Sequence, residues 1–208
     1  MTFRVKVCGI TRPEDAEVAA ELGADAIGIN FVPDSPRCVS LGQAREIQAA
    51  LPPDVHCVAV VASPTEAELQ ALAAEPNIDT VQFHGEETPA ECRRSPLPWI
   101  KAFRTGEGFD VRCLAAYGEG PHLLDAWQPG VRGGTGQQAD WDAAAEAARH
   151  YQVILAGGIG PHNAQDAIAA VQPHGLDVNS GVETAPGIKD AVKLESLFDR
   201  LRDAGFLG

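Results

Sequence analysis

The sequence predicts an α/β protein, a (β/α)₈ TIM barrel in a single domain covering residues 1–208. Short apolar, β-branched runs alternate with Ala- and Glu-rich stretches of helical spacing from end to end. The alternation repeats eight times at about 26 residues a unit, close to the smallest length a strand–helix–strand crossover allows. The strand-like runs are apolar throughout, as parallel strands covered by helices are. Eight such units close into a barrel at the lower size limit of that fold. A doubly wound open sheet is the runner-up. No linker, low-complexity tract or shift in composition divides the chain.

Strands are expected at 3–8, 25–31, 55–61, 80–83, 99–103, 122–125, 153–156 and 176–178. The first helix, 13–22, carries Ala16, Ala19, Ala20 and Leu22 on one side. Ser40 is placed to cap 41–51, and Ser63-Pro64-Thr65-Glu66 reads as a capping box opening 66–74. The segments after the fourth and fifth strands carry only short, irregular helical signal. Asp140 is placed to cap 141–150, and 161–171 and 189–201 complete the pattern. The longest strand-to-strand intervals follow strands 2 and 6. They hold Val32-Pro33-Asp34-Ser35-Pro36-Arg37 and Pro129-Gly130-Val131-Arg132-Gly133-Gly134-Thr135-Gly136. In so economical a barrel, extra length after a strand belongs to the active-site face and suits a substrate-covering loop.

Composition narrows the function. Twenty-nine acids against sixteen bases give a net charge of −13, which argues against nucleic acid or an anionic membrane surface as partner. No apolar run reaches the ~18–20 residues that cross a bilayer, and the first residues do not read as a signal peptide. Five cysteines, an odd number without C-x-x-C spacing, suggest neither a disulfide framework nor a zinc knuckle. The expectation is a reduced, cytoplasmic protein, with monomer and homodimer both open.

Barrel enzymes build their sites where strands end, so the polar residues there are the candidates. Gly157-Gly158 after strand 7 and Ser180-Gly181 after strand 8 each precede a region able to supply a helix N-terminus. Such loops let backbone N–H groups meet a phosphate, and Gly133-Gly134 on the neighbouring loop adds to them. Tight turns alone would also explain any one pair. Gly158-Ile159-Gly160 lacks the third glycine of a dinucleotide fingerprint and comes too late in the chain to build such a domain.

Cys8 ends strand 1 just before a glycine turn, where its thiol can meet a ligand; a buried apolar cysteine is the plainer reading. As a base it would need a lowered pKa or a favourable local dipole. Asp125 ends strand 6 after an apolar run, where burial would raise its pKa as a general acid requires, although an N-cap or loop acceptor would look the same. Asp177 and Glu183 compete for a carboxylate role but flank the phosphate loops, where their charge would repel an anion. Arg37 is the cation whose planar fork suits a substrate carboxylate, against the plainer reading of a solvated loop arginine. Lys6 shares the parity of Cys8 and reads as an interior polar partner, of a carboxylate if any. Lys101 also lies within a strand. His84 is a substrate contact or a hydrogen-bonded structural histidine.

Taken in order, several stretches resemble the phosphoribosylanthranilate isomerase family of tryptophan synthesis. They are Lys6-Val7-Cys8-Gly9-Ile10-Thr11, Gly28-Ile29-Asn30-Phe31-Val32-Pro33-Asp34-Ser35-Pro36-Arg37, Val81-Gln82-Phe83-His84-Gly85-Glu86, Leu123-Leu124-Asp125, Gly133-Gly134-Thr135-Gly136, Leu155-Ala156-Gly157-Gly158-Ile159 and Leu176-Asp177-Val178-Asn179-Ser180-Gly181-Val182-Glu183. The combination is specific and spans nearly the whole chain. Phe83 and Cys38 depart from the family's common leucine and aromatic residue, and both touch packing.

The resemblance implies a (β/α)₈ enzyme without metal or cofactor. It would carry out an Amadori rearrangement of N-(5-phosphoribosyl)anthranilate to 1-(2-carboxyphenylamino)-1-deoxyribulose 5-phosphate. Cys8 matches the family's general base, Asp125 its general acid, and Arg37 the residue that engages the anthranilate carboxylate. Two alternatives stay open. One is a related phosphosugar barrel enzyme such as indole-glycerol-phosphate synthase, with Lys101 as acid and Cys8 idle. The other is a non-catalytic phosphate-ligand barrel.

Overall fold

The computed structural model describes residues 3–106, 108–126 and 141–207. Eight parallel strands form a closed barrel in chain order: β1 Val5–Cys8, β2 Ala26–Asn30, β3 His56–Val61, β4 Thr80–Phe83, β5 Trp99–Arg104, β6 His122–Asp125, β7 Val153–Ala156 and β8 Gly175–Val178. The ring closes where β1 pairs with β8, Lys6 in register with Asp177. The expected barrel is thus present, and the runner-up open sheet is excluded.

Helices α1 Pro13–Leu22, α2 Leu41–Ala49, α3 Glu66–Ala73, α4 Pro89–Cys92, α5 Asp142–Ala148, α6 Ala164–Val171 and α7 Ala191–Asp203 follow strands 1–4 and 6–8, and a 3₁₀ helix, Val111–Tyr117, follows β5. The short elements after β4 and β5 fit the weak helical signal there.

Strand side chains alternate between two cores. Val7, Ile27, Ala59, Val81, Leu124 and Leu155 face the helices, packing with residues such as Ile47, Leu72, Leu194 and Leu197. Phe3, Ala26, Val58, Ile100, Leu123 and Ile154 fill the lower interior of the barrel. Both cores are apolar, which is why the strands read as continuous apolar runs. Above the inner layer, towards the C-terminal strand ends, the inward positions turn polar.

Three local expectations need correction. The cap of α3 is Thr65, which forms a reciprocal capping box with Glu68, and Ser63 instead sits at φ 48°. Helix α6 begins at Ala164, with Pro161 still in a turn, and α7 begins at Ala191 with Asp190 capping the N–H groups of Val192 and Lys193. After β8 comes a 3₁₀ turn, Ser180–Val182, then a hairpin of β9 Glu183–Ala185 and β10 Ile188–Lys189. This hairpin docks on the loop after β1 and the first turn of α1, where Thr11 Oγ1 donates to Gly187 O at 2.5 Å and Lys189 N–H donates to Asp15 at 3.0 Å. The expected caps by Ser40 on α2 and by Asp140 on α5 differ in standing. Ser40 accepts from Gln43 N–H, while Asp140 lies outside the described residues.

Candidate active site

A cavity of about 510 Å³ opens at the C-terminal end of the barrel. Its walls include Cys8, Gln82, His84, Asp125, Asp177 and Asn179, together with Gly157, Gly158 and Ser180. Cys8 and Asp125 therefore share one compartment, reached from opposite sides of the ring.

On the β1 side, three inward groups are buried together. Lys6 is fully buried, and its Nζ donates to Asp177 Oδ1 at 2.9 Å. This is the carboxylate partner the parity of Lys6 implied. The sulfur of Cys8, two residues on, and the same ammonium converge on the space beside Gly28. Gly28 on β2, in register with Cys8, makes the meeting possible. A Cβ there would stand 2.7 Å from Cys8 Sγ and 2.8 Å from Lys6 Nζ. Burial pushes the Cys8 thiol up, Asp177 pushes it further, and Lys6 and Lys189 pull it back without prevailing. The surroundings of Cys8 thus do not supply the lowered pKa that a base role asks for. Lys6 is raised instead, because Asp177 and Cys8 outweigh the cost of its burial.

On the β6 side, the carboxyl of Asp125 is about a quarter exposed, and His84 Nε2 lies 3.9 Å from its Oδ2. Gln82 Nε2 lies 3.0 Å from His84 Nδ1, which fixes the ring's orientation. Burial lowers the His84 pKa against the pull of Asp125, so the imidazole is neutral at neutral pH. His84 combines both readings open from sequence, since it is hydrogen-bonded and also lines the cavity.

Arg37 differs from expectation. Its guanidinium is not turned into the cavity wall but is held side-on by Glu183, Nε to Oε1 at 2.8 Å and Nη2 to Oε2 at 2.5 Å. Lys189 Nζ reaches the same carboxylate at 2.8 Å and Asn179 Oδ1 at 3.0 Å. Burial would raise Glu183, but these donors overwhelm it and bring the carboxyl down to about 2. The repulsion expected from Asp177 and Glu183 near a phosphate loop is therefore largely cancelled, since each faces its own cation.

The glycine loops fit their role unequally. Gly157 and Gly158 line the cavity at φ 102° and 69°, a left-handed backbone that favours glycine. Among the described residues no acceptor takes the N–H of Gly157, Gly158 or Ser180. Gly181 serves packing, because a Cβ there would stand 2.1 Å from Ile159 O. No α-helix starts directly after either loop, so the backbone N–H groups, rather than a helix dipole, are the anion donors on offer. Gly133 and Gly134 lie outside the described residues.

Sequence reasoning weighed Asp177 for a carboxylate role and set it aside, and it did not name Gln82 or Lys189 as parts of the site. Period-two parity holds the signal for two of them: Gln82 lies two residues before His84, and Asp177 faces opposite to Leu176 and Val178. Lys189 reaches the site only through the hairpin. Lys101 lies away from this cavity, its ammonium 3.2 Å from Glu87 and bonded to Gly85 O at 2.7 Å and Ala102 O at 2.8 Å.

A family model described as N-(5'phosphoribosyl)anthranilate (PRA) isomerase matches residues 5–200. The chain belongs to that family. The N-(5'-phosphoribosyl)anthranilate isomerase of Azotobacter vinelandii is 47% identical over 203 residues, 97% of this chain and 98% of that protein. The corresponding protein of Stutzerimonas stutzeri is 46% identical over 96% of this chain and 97% of its own length. Among solved structures, the phosphoribosyl anthranilate isomerase of Thermus thermophilus superposes with a TM-score of 0.85 at 40% identity, covering 96% of this chain and 98% of that one. Another isomerase of the family was solved in complex with reduced 1-(o-carboxyphenylamino)-1-deoxyribulose 5-phosphate. It superposes with a TM-score of 0.85 at 34% identity, covering 98% of this chain and all of the other.

Proposed function

We propose that this chain is an N-(5'-phosphoribosyl)anthranilate isomerase in which Asp125 is the general acid and Cys8 the general base. The observation that carries the assignment is the shared cavity. A carboxyl and a thiol enter it from β6 and β1, and anion-seeking N–H groups border it at Gly157, Gly158 and Ser180.

In this reading the phosphate rests on the loops after β7 and β8, Gly181 holding those loops together. Protonated Asp125 gives its proton to the furanose ring oxygen as the C1–O bond opens to a Schiff base. Cys8 thiolate then takes the proton from C2, and the electron pair moves into the C1–N iminium to give an enolamine. Loss of the O2 proton and gain of one at C1 yield the aminoketone. Asp125 ends as carboxylate and Cys8 as thiol, and exchange of one proton each with solvent resets the pair. The iminium is the electron sink.

Arg37 engages the anthranilate carboxylate through Nη1, the nitrogen Glu183 leaves uncommitted, while Glu183 keeps the guanidinium in place. His84 holds Asp125 and borders the substrate. We read residues 1–208 as one domain. All five cysteines are free, which suits the reducing cytoplasm, and no described helix is long and apolar enough to cross a membrane.

The lyase alternative needs Lys101 as an acid at the substrate. That ammonium is saturated by Glu87 and backbone carbonyls outside the cavity, which favours the isomerase. Conversion of phosphoribosylanthranilate, followed by loss of its fluorescence, tests the reading. Wild type should turn it over and Cys8→Ser should fall at least ~10²-fold in kcat, the usual scale of acid–base catalysis. No conversion by wild type, or normal turnover by the variant, would overturn it.

A further inference from the structure

The mechanism above asks a thiol to ionise in a place where burial and a neighbouring carboxylate oppose ionisation. The charges facing Cys8 are few. Lys6 lies on its own strand and Asp177 on β8, the hairpin contributes Lys189, and the loop after β2 contributes Arg37. Lys189 and Arg37 already share Glu183. Lys6 is different. It is sealed from solvent, it meets one carboxylate oxygen, Asp177 Oδ1 at 2.9 Å, and beside Gly28 it faces the sulfur of Cys8. The absent side chain of Gly28 leaves the space in which ammonium and sulfur approach.

We propose that Lys6 is a positioning residue for the base: its ammonium, anchored by Asp177, is the counter-ion of the Cys8 thiolate, and Asp177 opposes the ionisation. The inference rests on the reading of Cys8 as the base. Asp177 has two faces, one on Lys6 and one on the cavity, so a substrate group hydrogen-bonded to it would weaken its hold on the charge of Lys6. That shift releases the ammonium towards sulfur when the ligand is present. Gly28 is then a functional glycine, required by an approach between two side chains rather than by its own backbone.

The test is the pH dependence of Cys8 alkylation by iodoacetamide in the full-length protein. The thiolate attacks carbon, iodide leaves, and the thiol proton has gone to solvent. Peptide mass spectrometry separates Cys8 from the exposed Cys38 and Cys113. Asp177→Asn should lower the midpoint by about one pH unit, which is roughly tenfold faster labelling at pH 7, and Lys6→Met should slow labelling by a similar factor.

Opposite directions are the signature, because a merely loosened barrel would speed labelling in both variants. Unchanged or slower labelling in Asp177→Asn, or unchanged or faster labelling in a folded Lys6→Met, would overturn the proposal. Should Lys6→Met fail to fold, Asp177→Asn alone decides. The readout does not need turnover. Shifted labelling in a chain that does not isomerise the substrate would remove the functional reading and keep the charge coupling. Normal turnover with unshifted labelling would do the reverse.

Discussion

Two buried lysines on strands of this barrel pair with carboxylates, Lys6 facing the interior and Lys101 the outer layer beside Phe83 and Phe103, and the two pairs behave differently. Lys101 with Glu87 is closed. The ammonium meets the carboxylate and the carbonyls of Gly85 and Ala102, while Glu87 takes the N–H groups of Ser63 and Gly85. All of the ammonium's donors are committed, and the pair ties the loops after β3 and β4 to β5. Lys6 with Asp177 is open, since one contact anchors the ammonium, the carboxylate borders the cavity and a thiol lies alongside. Burial alone does not distinguish a structural ion pair from one that tunes a site. The number of hydrogen-bonding directions left uncommitted does.

The largest expected effect lies on the open side and its partner across the cavity. Asp125→Asn should lower kcat by at least ~10²-fold while the melting temperature stays within a few degrees, because the proposed general acid is a quarter exposed and packs little. Lys101→Met should do the opposite. Removing one partner of a closed buried pair strands Glu87, at a cost of about 3–5 kcal/mol or roughly 10 °C in Tm, with kcat of the folded fraction nearly intact. A kcat collapse at normal Tm in that variant would erase the contrast and return Lys101 to the chemistry.

The Arg37–Glu183–Lys189 cluster sharpens the comparison through pH. Glu183 titrates at about 2 in the folded chain, below its ordinary value of 4.5. A depressed folded pKa contributes stability that is present above the unfolded pKa and lost as pH falls towards the folded one. Unfolding free energy should therefore drop by about 3 kcal/mol between pH 5 and pH 2 on account of this group. Denaturant titrations of wild type beside Glu183→Gln should show a difference that shrinks across that window. A constant difference would mean the cluster is not ionic. Arg37→Ala should raise KM for the substrate more than it weakens binding of inorganic phosphate. Equal losses would separate Arg37 from the carboxylate.

The smallest effect tests a purely local device. Thr65→Ala removes the hydroxyl that caps α3 and should cost about 1 kcal/mol in a thermal or denaturant melt, leaving kcat unchanged. Ser63→Ala should cost less, because Ser63 is not the cap.

Much of the site was legible from residue type and parity. Cys8 before a glycine turn, Asp125 after an apolar run, and Lys6 facing as Cys8 does all follow from position along a strand, and all three lie where that reasoning puts them. Arg37 shows where it stops. A loop arginine is read as free until the loop after β8 is folded against it, and the partner that holds it lies 146 residues away. The capping box erred by two residues because Ser63, Pro64 and Thr65 offer overlapping signals. Backbone geometry chooses among them.

Alternation of apolar strands with helices, repeated eight times, determined the barrel and the face on which chemistry gathers, since burial on both sides of a sheet leaves a periodic mark in one dimension. Which charges neutralise one another was decided only by closure. Lys6 meets Asp177 because β1 and β8 become neighbours when the ring shuts, and whether Cys8 carries a proton depends on the desolvation and fields of groups that no local window contains.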